Sequence, residues 1–557
     1  MNNHNIIKNL KKNKLKYTLI TILCVFFFIY SWFSFSTTLQ NQDNINSPVI
    51  FSWPDAMANH NFIQIFNSNN NFQINEPLNN SFQNIIHPRS TNINLKTGAI
   101  VPTAFLGFVI ILGLLSKLIG LYLINFVTPL IAIVGIYYFY KLNKQIFDSE
   151  FVGLFSAILL TTLCSFWYYS SLTMLSTVFF VSLLIIGFYY LININKNYFN
   201  AIIAGLILSL ALTIRLNEIA WITIVVLLLG ILYKKKLNKK NTIIFLLSGT
   251  LPLILLLFFN AQTYGSAFNI GYLNNDSTQN LANRLPTEIS GNQNSIINYL
   301  KLLFVPFGFF EKTIISNVLN YLILFIWPYI GITILSIFIF FSDYKNINKK
   351  IKHLFYCSLL ISFLLILYYG SWKFIDQLVL ENNLIGSSYI RYWLLINILT
   401  LPFIAFLLEK IWKLSIAKYL RIGIIFIIVT TLIAFSFMLT YKSPGDGLID
   451  QKSIINSYHK RSKKVLNIVP ENAFILTDRT DKIIFPKRKV IDFNLNYQVL
   501  KSIQPQIDEY DFFYLTLLPD SDIEYINNRK INEYDIEFTD PIIVDNKYRL
   551  FRLDYAR

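Results

Sequence analysis

Charge is scarce in this chain. Of its 557 residues only 14% are charged while 54% are hydrophobic, and the mean hydropathy is +0.48. That balance excludes an ordinary soluble domain and reads as a polytopic membrane protein. Cysteine is scarcer still. The three present, Cys24, Cys164 and Cys357, lie in apolar segments at unrelated spacings, which suggests neither a zinc site nor a disulfide framework and leaves core packing as their expected use. There is no Gly-rich phosphate loop, no HExxH helix and no GxSxG elbow, so a soluble-type nucleotide enzyme or hydrolase finds no support. Acids are outnumbered, 31 against 48 Lys and Arg, for a formal charge of +17. The basic residues stand in short clusters between apolar runs, the pattern of cytoplasmic loops, and nucleic acid is not an expected partner.

What the chain has in quantity is apolar length. Runs of about 20 residues, enough to cross roughly 30 Å of hydrocarbon, occur near 17–37, 120–140, 152–171, 173–193, 198–215, 218–233, 241–260, 317–341, 353–369, 391–409 and 422–441. No small-residue cleavage site follows the first run, which reads as a retained signal anchor. The basic N-terminus places itself in the cytoplasm and the loop 38–98 outside. The clusters at 141–144, 234–240, 344–353 and 409–421 agree with that alternation. A further apolar stretch at 98–120 would invert every later loop if it crossed once, so it is expected to lie at the interface or to re-enter. The tail then falls outside. It opens on "SPGDG" and carries short β-like runs, "AFILTD", "RKVIDF", "DFFYLTLL" and "YRLFRLD". The expected architecture is an all-α polytopic membrane protein of about 11 spans plus juxtamembrane helices over 1–441, followed by a small soluble α/β domain over 442–557.

Polar groups at the outer ends of such helices are costly and usually have a use. Four places stand out. In "SWPDAMANHNF" Asp55 could serve as a general base, or cap an interfacial helix that starts at this point. In "HPRS" and "TNINLKTG", His87, Arg89 and Lys96 suit a phosphate next to the membrane, with ordinary interfacial anchoring as the alternative. In "LTIRLNEIAW", Arg215, Asn217 and Glu218 share a very short turn, either as a self-satisfied pair or with Arg215 as a phosphate ligand that Glu218 orients. In "GSSYIRYWLLINILTLP", Tyr392 and its aromatic neighbours fit an interfacial belt. Arg391 is harder to explain that way, because the positive-inside bias disfavours an outer arginine.

Taken in order, these features resemble the GT-C-fold glycosyltransferases that use polyprenyl-phosphate sugars, specifically the protein-O-mannosyltransferase and aminoarabinose-transferase relatives (glycosyltransferase family 39-like). The resemblance covers residues 17 to about 410. It rests on "WPDAMANHNF" where the family has an outer-loop Asp, "HPRS" for an "HPP"-like element, "YKLNKQIF", "CSFWYYSS", "AGLILSLALTIRLNE" and "IRYWLL". Two departures stand out. Ala56 replaces a frequent second acid, and "SSLTMLST" lacks another, which leaves a divalent cation open as a cofactor. The "WWDYG" signature of oligosaccharyltransferases is absent.

The resemblance implies an inverting transferase in the cytoplasmic membrane, with its C-terminal domain outside. It would move a sugar from a polyprenyl-phosphate donor to a protein, lipid or glycan acceptor. Asp55 would be the base; Arg391, Arg215, His87 and Arg89 would bind the leaving phosphate. Two other readings stay open: a polysaccharide polymerase or ligase using diphosphate-linked glycans, and a non-enzymatic flippase. The first would need its main outer loop late in the chain, and the second internal repeats, neither of which the sequence shows.

Overall fold

The computed structural model describes residues 3–39, 49–232, 238–273, 301, 304–373, 384–539 and 541–556. All eleven apolar runs fold as helix over most of their length. Among the described residues six helices are long and apolar enough on their own to cross a membrane: Tyr17–Thr37, Leu123–Phe147, Lys239–Tyr264, Lys349–Tyr369, Leu394–Trp412 and Lys418–Lys442. Three bent pairs raise the number to as many as 9. Ser176–Ile192, with 17 residues, reaches about 25 Å at 1.5 Å per residue, somewhat short of a full span. The protein is a multi-pass membrane protein.

The bends have local causes. Glu311–Leu324 and Trp327–Ser342 meet at 90°, where Pro328 fixes the start of the second helix and forbids its residue the hydrogen bond of a continuous one. Tyr198–Ile214 and Leu216–Leu232 meet at 116° with Arg215 between them, its backbone out of helical geometry at φ −142° and ψ 82°. A residue in such a break points its side chain where a straight helix could not.

The chain divides into two compact units. The first comprises residues 1–34, 125–255 and 279–451, and the second 35–124, 256–278 and 452–557. The first is helical, packed through fully buried side chains such as Trp393, Tyr168, Tyr169 and Phe340. Cys164 and Cys357 are buried there, as packing requires, but Cys24 is exposed. The expectation of a core cysteine is corrected at that position: its helix is apolar all round and presents Cys24 outward.

The second unit holds two sheets. Strands β1 (Thr91–Ile93) and β2 (Ile100–Pro102) form an antiparallel pair. The other sheet is built from β3 (Phe474–Thr477), β4 (Lys489–Asp492), β5 (Phe512–Thr516), β6 (Ile536–Phe538), β7 (Ile542–Ile543) and β8 (Arg549–Tyr555). Its order is β4-β3-β5-β8-β6, with β7 on β8; β3 pairs parallel to both β4 and β5. This is the small α/β fold expected of the tail. Its core takes in two residues from far upstream, Phe82 and Ile86, and Phe82 stacks 4.9 Å from Phe474. The upstream loop is therefore anchored by apolar burial, worth about 1.5–3 kcal/mol for each such side chain.

In the same unit Gly107–Ile119 is a 13-residue helix, about 20 Å long and too short to cross a bilayer. It packs on the helix Pro54–Asn69, where a Cβ on Gly113 would come within 2.8 Å of the Phe66 ring. Glycine is what lets the two axes approach at that point.

Candidate functional site

Two polar groups, one in each unit, contain all but one of the sequence-selected residues. In the helical unit the group forms around the break at Arg215. Its guanidinium lies 4.9 Å from the Tyr392 ring centre and 5.4 Å from that of Phe180, and its Nη2 donates to Thr177 Oγ1 at 3.0 Å. Nη1 is 3.6 Å from Glu218 Oε1. Arg215 is 7% exposed and Glu218 2%, so the pair is buried. It is not self-satisfied, however. Glu218 Oε1 also accepts from Tyr369 Oη at 2.7 Å, and Trp221 Nε1 donates to Oε2 at 2.5 Å. Asn217 Nδ2 donates to Tyr369 Oη at 2.6 Å, and its buried Oδ1 has no partner among the described residues.

Tyr392 stacks on Tyr369 at 4.5 Å and carries a second guanidinium, that of Arg391, at 5.1 Å. Two arginines thus share one ring, and Glu218 is the carboxylate beside Arg215 among the described residues. Guanidinium groups flanked by aromatic rings have the chemistry to receive a phosphate or other anion. Arg215, Asn217, Glu218, Arg391 and Tyr392 are brought together as one group. Tyr369 and Trp221, which complete it, were missed by sequence reasoning. They sit in apolar runs where an aromatic residue raises no signal.

In the second unit Asp55 occupies the second position of the helix Pro54–Asn69. Trp53 holds the cap position in extended geometry (φ −99°, ψ 135°), and no side chain caps the helix. The expectation that Asp55 is the cap is therefore corrected: Pro54 takes the first helical position, as its missing N–H and fixed φ favour, and moves Asp55 into the first turn. Asp55 is half-buried, and Ser90 Oγ donates to its Oδ1 at 2.7 Å. Ser90 has φ +61°, a left-handed conformation that a side chain makes costly, by about 1–3 kcal/mol.

What holds Ser90 there is next to it. The Arg89 backbone N–H donates to Asp481 Oδ2 at 2.8 Å, its Nε donates to Oδ1 at 2.8 Å, and Nη2 donates to the Arg479 carbonyl at 2.6 Å. The Asp481 side chain is fully buried. Arg89 is thus committed to a carboxylate. His87 is partly buried, with Nδ1 3.1 Å from the Pro88 carbonyl oxygen and 3.3 Å from Thr91 Oγ1. Burial lowers its pKa, with the Pro88 carbonyl and Asp481 opposing. Lys96 is apart, exposed in the turn between β1 and β2.

Lys482 was not selected from sequence. It is 8% exposed, lies 4.8 Å from the Tyr458 ring centre and donates to the Ser52 carbonyl. Burial lowers its pKa to about 7, helped by Arg89 and Arg479 and opposed by Asp481 and Asp55. Asp492, at the end of β4, is raised to about 7, by burial first and then by Asp481 and Asp478. The signal that could have found Lys482 is the charged run "DRTDK" directly after a strand of a parallel sheet, where α/β folds place ligands. No cluster of three or more His, Cys, Asp or Glu side chains suited to a metal occurs among the described residues.

No protein-family model matches the chain, and no curated protein matches it in sequence. Its structure is similar to the crystal structure of ArnT from Cupriavidus metallidurans bound to undecaprenyl phosphate. The TM-score is 0.52 at 6% identity, over 96% of this chain and 97% of that one. The apo state of the same protein gives 0.50 at 7% identity, over 97% and 98%. Likeness at this identity establishes the fold: the chain has the GT-C membrane fold that the order of its motifs led us to expect.

Proposed function

We propose that this GT-C-fold protein is a membrane glycosyltransferase that moves a sugar from a polyprenyl-phosphate donor to a hydroxyl of a protein, lipid or glycan acceptor, inverting the anomeric centre. The observation that carries the reading is the pair of guanidinium groups, Arg215 and Arg391, 4.9 and 5.1 Å from the Tyr392 ring centre. The lipid phosphate leaves as the bond between the sugar's anomeric carbon and a phosphate oxygen breaks. Its charge grows from about −1 toward −2 as it does so. Cations that are already in place stabilise that growth in the transition state more than in the bound donor.

Asp55 takes the proton of the acceptor hydroxyl as its oxygen attacks the anomeric carbon. Glu218, which also accepts from Tyr369 and Trp221, keeps Arg215 in its aromatic bracket. Asn217 offers its Oδ1 as an acceptor for the donor's hydroxyls; Arg89, held by Asp481 and the Arg479 carbonyl, orders the loop beside Asp55 instead of binding phosphate, and His87 contributes next to it. Exposed Lys96 attracts the anionic head group at longer range. Support for a lipid-phosphate donor comes from the fold likeness to a protein crystallised with undecaprenyl phosphate. The reading places the N-terminus in the cytoplasm, and the residues from 442 onward, with the reaction, on the outer face of the cytoplasmic membrane.

Binding of undecaprenyl phosphate to the full chain in nanodiscs tests the anion site. Arg215→Ala and Arg391→Ala should each weaken it by about ten- to a hundredfold, the 1.4–3 kcal/mol of a lost charge-assisted contact. Unchanged affinity in both would remove the assignment.

A further inference from the structure

We infer that Asp481 and Lys482 form a clamp that positions Asp55, one residue gripping the chain on each side of it. Asp481 binds the backbone and guanidinium of Arg89, and the next residue, Ser90, donates the hydrogen bond to the Asp55 carboxylate. Lys482 binds the carbonyl of Ser52, three residues before Asp55 in the turn that starts its helix. The two grips come from adjacent residues of the short helix Asp481–Ile484. That helix is fixed in turn, since Ser462 Oγ donates to the Ile483 carbonyl at 2.6 Å.

The arrangement makes chemical sense for a base. A carboxylate at the start of a helix has rotamers to spare, and a loop alone would leave its direction loose. Holding Ser90 in a left-handed conformation aims its hydroxyl at Asp55 Oδ1. Lys482 adds a positive charge near Asp55. The groups facing Lys482 are Asp55 from the helix Pro54–Asn69, Arg89 from the upstream loop, Asp481 from the helix that Lys482 itself belongs to, Arg479 from the loop before it, and the Tyr458 ring from the helix Leu448–Ile468. With its pKa at about 7, the ammonium loses its proton just above neutrality, and the charged part of the grip goes with it.

Neither residue is proposed to touch substrate. Both act through Asp55, so the clamp rests on the reading of Asp55 as the base, and the two can fail separately. The experiment uses the full chain in nanodiscs. Hydrogen exchange of residues 52–58 and 88–91 is followed across pH 6–9, and turnover is followed as undecaprenyl phosphate released from an undecaprenyl-phosphate-linked hexose. Lys482→Met should speed exchange in 52–58 by roughly tenfold at pH 6.5, and Asp481→Asn should do so in 88–91. Wild type should approach the Lys482→Met rate above about pH 7, after correction for intrinsic exchange. Lys482→Arg, which keeps its charge, should stay protected throughout and carry turnover to higher pH. Asp492→Asn should not move the inflection. Exchange in Lys482→Met and Asp481→Asn equal to wild type at every pH would overturn the clamp, whatever the donor. Full turnover in Asp55→Asn would overturn the base and leave the exchange result standing.

Discussion

The two polar groups are built on different plans. Around Arg215 the neighbours are mostly aromatic: Tyr392, Phe180, Tyr369 and Trp221. Around Asp55 the charges alternate, Asp55, Lys482, Asp481 and Arg89, and they come from segments far apart in sequence. The first plan sets guanidinium groups among rings that can flank a ligand. The second spends its charges on one another and leaves one carboxylate aimed. That contrast is what an anion site and a general base respectively need.

Breaking the charge alternation should cost stability most. Asp481→Asn leaves Arg89 without its counter-charge beside a fully buried position, a loss of about 3–4 kcal/mol in unfolding experiments. A loss below about 1 kcal/mol would mean that the pair is already screened by solvent. The second unit should also carry the acid sensitivity. His60 is 6% exposed and burial lowers its pKa to about 4, so it stays neutral in the fold. Its contribution is complete above the unfolded value near 6.5 and is lost as pH falls through about 4, some 3 kcal/mol in all. His60→Asn should flatten the stability profile over that window, measured against wild type by thermal unfolding.

The aromatic plan is sharpened by a smaller change. Arg215→Lys keeps the charge and gives up the flat guanidinium against Tyr392, so undecaprenyl phosphate should bind about tenfold more weakly, with the fold intact. Lys96→Ala should have the least effect, about twofold, and that effect should vanish at high salt because the side chain is exposed.

Much of the helical layout could be read from sequence because uninterrupted apolar length is a strong signal and basic clusters break it cleanly. Arg215, Asn217 and Glu218 could be read for the same reason, since three polar residues between two apolar runs have no bland setting. Their partners could not. Tyr369 ends a span of aromatic and aliphatic residues and becomes a hydrogen-bond hub only when the chain folds back. Asp481 and Lys482 were hidden differently: the run "DRTDK" after a strand marks a place where ligands bind, but the strand order that brings these two residues to Arg89 and Ser52 is not local information. At Asp55 the sequence did hold the correction. "WPD" places Pro at the first helical position, and that alone moves the acid off the cap.

The most direct test of the account compares binding with turnover in Asp55→Asn. If Asp55 is the base and the arginines hold the phosphate, the variant should bind undecaprenyl phosphate within about twofold of wild type. It should release it from undecaprenyl-phosphate sugars roughly 10²–10⁴ times more slowly, the range for a lost general base. Turnover at the wild-type rate with binding intact would contradict it.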